Sequence, residues 1–330
     1  MTDRPTPDRI MEIANGYWAT GILGTAARCS LFTHLEAGVD TASGLAAAAG
    51  IAERGAQTLL DGLVGLGLVE RTAAGYRNTA EASAFLVEGR PASLSGYAGL
   101  KLGQMDKMGD LLAVYRTGGP VAAMTEVADN PHWEVVVPAI AAQSVPVAEV
   151  AAGLLGLAEA GDISILDLGG GSGIFSAIWL ELNPAARSTQ LDWAPINAIA
   201  RRLLKERHLA DRFTCVDGDF HTTGFGVAAH DVVVYSHVAH QEGPEDNIAT
   251  FTRVKAALKP GGTFVVCDYV VDDDRGGPFF PLLFASEMLL KSKKGGTWRQ
   301  ADYRDWLTAA GFDDVSFHPT SSPTGLVLAR

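Results

Sequence analysis

The stretch Ile165-Leu166-Asp167-Leu168-Gly169-Gly170-Gly171-Ser172-Gly173 decides how the rest of the chain is read. A short apolar run carrying one aspartate leads straight into a glycine cluster, and an amphipathic stretch, FSAIWLELN, follows at once. Glycines in a strand-to-helix turn reach positive φ without a Cβ penalty and let a ligand approach the backbone closely. The dinucleotide fingerprint GxGxxG fails in this frame, because Gly169-x-Gly171 would require glycine at 174 and the residue is Ile174. The spacing Asp167-x-Gly169-x-Gly171-x-Gly173 suits instead an adenosyl cofactor that lacks a pyrophosphate.

Working outward, the runs TQLDW, FTCVDG, DVVVYS and TFVVCDY alternate with amphipathic stretches such as APINAIARRLLKERH and EDNIATFTRVKAALK. Strand and helix alternating at this interval predict an α/β domain, a parallel sheet with helices on both faces. Polar residues gather at the ends of the runs. Asp192, followed by Trp193, ends the second run 19 residues beyond Gly173 (192 − 173), where a carboxylate can accept from both ribose hydroxyls. Gly218-Asp219-Phe220 ends the third, offering an acceptor for an adenine amino group and a ring to lie against the base. The fourth ends at Ser236 and delivers His237 and His240; the fifth ends at Asp268-Tyr269. Ligands of open parallel sheets bind outside the carboxyl ends of the strands, so these residues together predict one cofactor cleft.

The chain before residue 159 has a different texture. Apolar residues recur at helical spacing, as in Ile10, Ile13, Ala14 and Tyr17, then Leu59, Leu60, Leu63 and Leu66. Two short helices over residues 41–50 and 53–65, then a hairpin turning at 73–75, predict a winged helix. Its second helix opens with Glu53 and Arg54, carries Asp61 and is otherwise apolar, so it lacks the basic and amide face of a groove reader and is expected to pack or dimerise. Residues 1–90 are thus expected to form this domain, 91–158 a helical linker and substrate-pocket region, and 159–330 the cofactor-binding domain. With 26 Lys+Arg against 38 Asp+Glu, the net charge of −12 speaks against nucleic acid and membrane surfaces as partners. No uninterrupted apolar run reaches about 20 residues and the N-terminus lacks a signal-peptide core, so a cytoplasmic location is expected. Cys29, Cys215 and Cys267 make neither a CxxC pair nor an even disulfide set, and the reading is of buried apolar residues.

LFTHLEAG and LLDGLVGLGLVE in the first half, then ILDLGGGSG, DGDF, VAHQEGPED, ALKPGG and WLTAAGF, carry a resemblance over nearly the whole chain. The sequence resembles class I S-adenosylmethionine-dependent methyltransferases of the plant-type and bacterial secondary-metabolite O-methyltransferase group. The resemblance implies a winged-helix dimerisation domain before a Rossmann-like domain that closes with an antiparallel strand pair, DVSFHP and GLVLAR. It implies that Gly169, Gly171, Asp192, Asp219 and Phe220 bind S-adenosylmethionine, that Ser236 sits near its carboxylate end, and that the protein is a homodimer acting on a small molecule. In the first helix, Tyr17 and Trp18 either reach the partner's pocket or pack internally.

An oxygen acceptor must lose a proton, and imidazole suits the base role near neutral pH. His240 is the candidate base; substrate orientation and simple packing are the alternatives. The family motif at this point reads HDW with the histidine as base, whereas residues 240–242 here are His-Gln-Glu. Where plant enzymes carry a glutamate that orients the histidine, this chain has Trp298, and Glu287 or Glu242 is a possible substitute in space. His237 is expected to be a packing residue, and the pair His237-x-x-His240 lacks an acidic partner at ligand spacing, so no metal is expected. Phe279, Phe280, Phe284, Met288 and Trp298, with Trp133 and Gln143 from the middle helices, are the candidate walls for a planar aromatic or polyketide-type acceptor. The altered motif leaves carbon or nitrogen methylation, and non-methylating chemistry on the same fold, as alternatives to O-methylation.

Overall fold

The computed structural model describes residues 4–120, 124–125, 127 and 130–330. The chain divides into two compact units, Met1–Gly109 and Asp110–Arg330.

In the first unit, α1 (Asp8–Arg28), α2 (Leu31–Glu36), α3 (Ala42–Ala49) and α4 (Glu53–Gly65) precede the hairpin β1 (Val69–Arg71) and β2 (Tyr76–Asn78). The helices α5 (Ala80–Leu86) and α6 (Ser95–Gln104) follow. The Thr41 hydroxyl caps α3 by accepting from the Gly44 N–H at 3.1 Å, the ordinary reason for a helix to begin after threonine. Along α4, Ala56, Leu59, Leu60 and Leu63 are buried, the three leucines in one cluster with Leu31, Phe32, Leu45 and Val69. That is one apolar stripe at helical period. On α1, by contrast, Ile10, Ile13, Tyr17 and Trp18 are all more than half exposed.

The second unit opens with α7 (Leu111–Thr117) and α8 (His132–Leu155), then β3 (Ser164–Leu168), α9 (Ile174–Leu182), β4 (Arg187–Asp192) and α10 (Ala194–Glu206). Next come β5 (Phe213–Asp217), β6 (His230–Ser236), α11 (Pro244–Ala257) and β7 (Leu258–Asp268). The chain ends with α12 (Phe279–Lys291), α13 (Gln300–Ala309), β8 (Val315–His318) and β9 (Gly325–Ala329). Among the described residues the sheet has seven strands in the order β5-β4-β3-β6-β7-β9-β8. The strands β3 to β7 pair parallel, while β9 runs antiparallel to both β7 and β8. The order reverses between β3 and β6, which is where an open sheet leaves a crevice at its carboxyl edge.

Both faces of the sheet are covered. Val147, Ala148, Ala151 and Ala152 of α8 pack with Phe175, Ile178 and Trp179 of α9 on one side. Phe251 and Val254 of α11 and Trp306 and Leu307 of α13 pack on the other. By length and composition α8 is apolar enough to cross a membrane. In the fold one face of it packs on α9, where Ala148 accepts the Trp179 indole N–H at 2.8 Å, and Pro138 and Pro146 interrupt its own ladder.

Candidate active site

The turn after β3 builds the floor of the site. Gly169, Gly171 and Gly173 lie at φ +62°, +58° and +75°, in the left-handed region. A Cβ on Gly169 would stand 2.8 Å from Val238 Cγ2, and one on Gly170 would stand 2.6 Å from both Asp167 Cγ and Gln190 Oε1. Side chains there would force the loop away from its neighbours.

Above the loop lies a cleft of about 830 Å³, its open mouth included. Gly169, Gly171, Asp192, Trp193, Gly218, Phe220, Ser236 and Trp133 all line it. Several lining residues were not legible in advance: Gly170 and Ser172 in the loop, Val137, Ile140, Ala141 and Ser144 on α8, and His237, Val238 and Gln241 after β6. The α8 residues fall at the helical spacing 137, 140, 141, 144, a signal that was present in VVVPAIAAQS but blurred by an apolar run on all sides.

Three other expected cofactor residues stand apart from this lining. Asp167 is fully buried beneath the loop, where Oδ2 accepts from the Ser176 hydroxyl at 2.8 Å. Burial raises its carboxyl to about 7, against the Ser176 hydrogen bond and with the charge of Asp192 adding to the rise. Gly173 abuts Leu204 and Ala200 of α10. Asp219 lines a second space that adjoins the cleft and shares Trp193, Phe220, Val238 and Gln241 with it.

Asp192 is gripped from behind. Its Oδ2 accepts from Gly171 N–H at 2.9 Å and Oδ1 from Trp193 N–H at 2.7 Å. Burial nevertheless raises its carboxyl to about 6, because two neutral donors offset only part of the lost hydration. The Trp133 indole N–H is buried without a hydrogen-bond partner among the described residues, and so is the Gln143 side-chain amide. Such groups are costly unless a ligand or water meets them.

His240 is 6% exposed and lies one residue from Gln241 of the cleft lining. The carboxylate that orients it is Asp268, at the end of β7: ring Nδ1 lies 2.7 Å from Oδ1, and the His240 backbone N–H donates to Oδ2 at 2.9 Å. Burial alone would raise the Asp268 carboxyl, but the charge and hydrogen bond of His240, with His237 and the Tyr269 N–H, hold it below the usual carboxylate range. Glu242 instead meets His221, and Glu287 pairs with Lys291. A carboxylate on Nδ1 fixes the proton there and leaves Nε2 as the acceptor. The ring stacks on Tyr269 at 5.7 Å and meets Phe284 edge-on at 5.1 Å, with Phe280 4.9 Å from Tyr269.

Trp298 does a different job from an orienting acid. Its indole N–H donates to the Ala239 carbonyl at 3.0 Å while its ring meets Trp306 at 5.3 Å. Gly296 N–H donates to the His240 carbonyl at 2.9 Å and the Ser292 hydroxyl to that of Gln241 at 2.9 Å. The segment therefore holds the backbone of residues 239–241 from outside. Met288 is buried on α12 one turn beyond Phe284. His237 bonds through both ring nitrogens, to Ser236 Oγ at 3.0 Å and Thr324 Oγ1 at 2.9 Å, and burial lowers it to about 4.

A glycine-floored cleft at the switch point of a parallel sheet, with an acid at the end of the second strand and a histidine–carboxylate pair beside it, defines a nucleoside-cofactor enzyme on a Rossmann-like sheet. Comparison with known proteins makes this specific. The O-methyltransferase domain matches residues 147–313 and the O-methyltransferase dimerisation domain matches residues 11–88. The 8-O-methyl transferase of tetracenomycin polyketide synthesis from Streptomyces glaucescens is 31% identical over 98% of this chain and 96% of its own. The 3-hydroxy-5-methyl-1-naphthoate 3-O-methyltransferase of Streptomyces sahachiroi is 30% identical over 96% and 92%. Human N-acetylserotonin methyltransferase, solved with S-adenosylmethionine, superposes with a TM-score of 0.86 over 100% of this chain and 99% of its own at 23% identity, a likeness of fold. The chain belongs to the S-adenosylmethionine-dependent O-methyltransferase family.

Proposed function

We propose that the protein transfers the methyl group of S-adenosylmethionine to a hydroxyl of a small aromatic or polyketide-type metabolite, with His240 as general base, working as a cytoplasmic homodimer. The observation that carries this reading is the His240–Asp268 pair beside the glycine-floored cleft. When bound, the cofactor supplies an activated methyl on a sulfonium; the chain's own residues must hold the two partners in line and take the proton. Asp192 has a free lone pair on each oxygen for the ribose hydroxyls, and the donor set fits, because those hydroxyls would complete a carboxylate that two backbone N–H groups leave under-stabilised. Phe220 and Asp219 suit the base and its amino group, and the loop Gly169–Gly171–Ser236 side suits the amino-acid end. The unpartnered Trp133 N–H offers a donor to an acceptor atom of the bound ligand. At the acceptor end, Asp268 holds the His240 ring so that Nε2 takes the hydroxyl proton, a contribution of roughly 10²–10⁴-fold in rate. Tyr269, Phe280 and Phe284 give this end an aromatic wall, and Met288 and Gln143 are the proposed outer contacts. The names of the two Streptomyces relatives, which include a naphthoate and a polyketide pathway, support an acceptor of that class. Dimer formation is supported by the matched dimerisation domain and by the exposed apolar face of α1.

Incubation with methyl-labelled cofactor and a panel of hydroxylated naphthoates and polyketide phenols should yield labelled methyl ether and one equivalent of S-adenosylhomocysteine. Label appearing on carbon or nitrogen, or a product without label, would replace this reading.

A further inference from the structure

His221 lines the second space, which adjoins the cleft, with a carboxylate on each ring nitrogen. Nδ1 lies 2.8 Å from Asp219 Oδ1, and Nε2 lies 3.2 Å from Glu242 Oε2. The His221 backbone N–H donates to the same Asp219 oxygen at 2.8 Å, and the ring stacks on Phe220 with centroids 4.3 Å apart and planes at 29°. Neutral imidazole has one donor, so carboxylates on both nitrogens require both protons. The two acids come from different parts of the chain. Asp219 follows β5, and Glu242 follows the short turn that carries His240.

We infer that the His221 imidazolium is a positioning clasp: it ties the loop after β5 to the turn after β6 and fixes Asp219 so that its second oxygen, Oδ2, receives the adenine amino group. The inference rests on the reading of Asp219 and Phe220 as the adenine end of the site. Asp219 is about half exposed, and an unrestrained carboxylate there would have to be ordered each time the cofactor binds. The clasp orders it beforehand and holds Phe220 beneath the ring. It also gives Glu242, the third residue of the altered His-Gln-Glu motif, a task.

The ionisation is consistent with this geometry. His221 is raised to about 9, first by its hydrogen bond to Glu242, with burial opposing and the charges of Glu242 and Asp219 adding to the rise. The other charged groups around it are accounted for. Asp246 of α11 pairs with Lys294 at 2.7 Å, which raises the lysine; Lys293 lies beside it at the rim. From α11 the Arg253 guanidinium donates to the carbonyls of Phe220, His221 and Thr223. A histidine raised in the folded state contributes its stabilisation below its ordinary value and loses it as pH rises through about 9.

The test is calorimetric titration of the full chain with S-adenosylhomocysteine from pH 7 to pH 10, comparing wild type with His221→Phe, Glu242→Gln and Asp219→Asn. The ligand's own amine titrates alike in all four, so differences between proteins isolate the clasp. Wild type should lose roughly 3- to 10-fold in affinity relative to Glu242→Gln across this range, the scale of one charge-assisted contact. Glu242→Gln and His221→Phe should start several-fold weaker at pH 7.5 and show no such extra loss. In wild type the His221 ring resonances should titrate near pH 9, and in Glu242→Gln well below it. If Asp219→Asn weakens binding while both clasp variants bind as wild type at every pH, the clasp is refuted and the adenine reading stands. If Asp219→Asn binds normally, the adenine reading is refuted and the clasp with it.

Discussion

Asp192 and Asp268 are built alike and behave oppositely. Each ends a parallel strand of the same sheet, and each accepts on Oδ1 the N–H of the following residue, Trp193 or Tyr269, at 2.7 Å. Each also accepts on Oδ2 a backbone N–H from the neighbouring loop, Gly171 or His240, at 2.9 Å. Among the described residues Asp268 has in addition the His240 ring, with His237 adding to its effect, and the carboxyl falls below its usual range, whereas burial leaves Asp192 raised to about 6. Backbone donors alone do not make up for lost hydration; the added contact with the imidazole does. The end of the cleft that is finished without a ligand is the one proposed to take the proton. The other end carries an uncompensated carboxylate that a hydroxyl-bearing, positively charged ligand would relieve.

The strongest way to break this comparison is at the finished end. His240→Ala should lower turnover by roughly 10²–10⁴-fold while cofactor affinity stays within about twofold, measured by steady-state rates and calorimetry. Asp268→Asn should fall toward the same range and also melt at lower temperature, because it removes one partner of a buried pair at a cost of roughly 3–5 kcal/mol. An unchanged rate in either variant would mean that the pair is structural.

At the other end the main effect is on binding. Asp192→Asn should weaken cofactor binding by about 10- to 100-fold, the scale of charged hydrogen bonds. In the ligand-free protein the same change removes a charge that has no counter-ion but leaves one of the Gly171 and Trp193 N–H groups facing an amide donor, so its melting temperature should fall less than that of Asp268→Asn. An equal or larger fall for Asp192→Asn would erase the difference between them.

The smallest effect is the pH dependence. Because the Asp192 carboxyl is raised, the folded state holds its proton longer than the unfolded chain, so this group penalises folding above about pH 6 and the penalty fades as pH falls through that value. Ribose hydroxyls donate to the charged form. Cofactor affinity should therefore weaken below about pH 6, by at most about tenfold per pH unit, and Asp192→Asn should lack that slope. A wild-type slope that survives in the variant would assign the titration to another group, Asp167 being the nearest candidate.

The glycine turn and the strand-end acid beside it were largely legible because their signals are local. Three glycines at alternate positions need the left-handed region, and an acid at the end of the next strand falls beside them by the arithmetic of one strand and one helix. Asp167 shows the limit of that logic, since its place in the motif is the same whether it faces the cleft or, as here, Ser176 beneath it. The acceptor end was less legible. Asp268 stood out only as a strand-end acid, and the carboxylates considered for His240 were Glu242 and Glu287. The missing step was the register of β6 on β7, which sets Ser236 opposite Cys267 and so brings the residues after each strand together across 28 positions of sequence. Similarly, on α8 only Trp133 and Gln143 are expected as pocket walls, because an apolar run does not show which of its faces will line a cleft.

The sequence by itself determined the order of strands and helices, the glycine floor and the kind of cofactor it admits, since these follow from backbone sterics and short-range periodicity. Only the tertiary structure decided which carboxylate meets His240, that Trp298 holds the backbone beside His240, and that two aspartates with matching backbone donors ionise differently. Those outcomes depend on burial and on neighbours brought in by strand pairing, and neither is a property of any local stretch of residues.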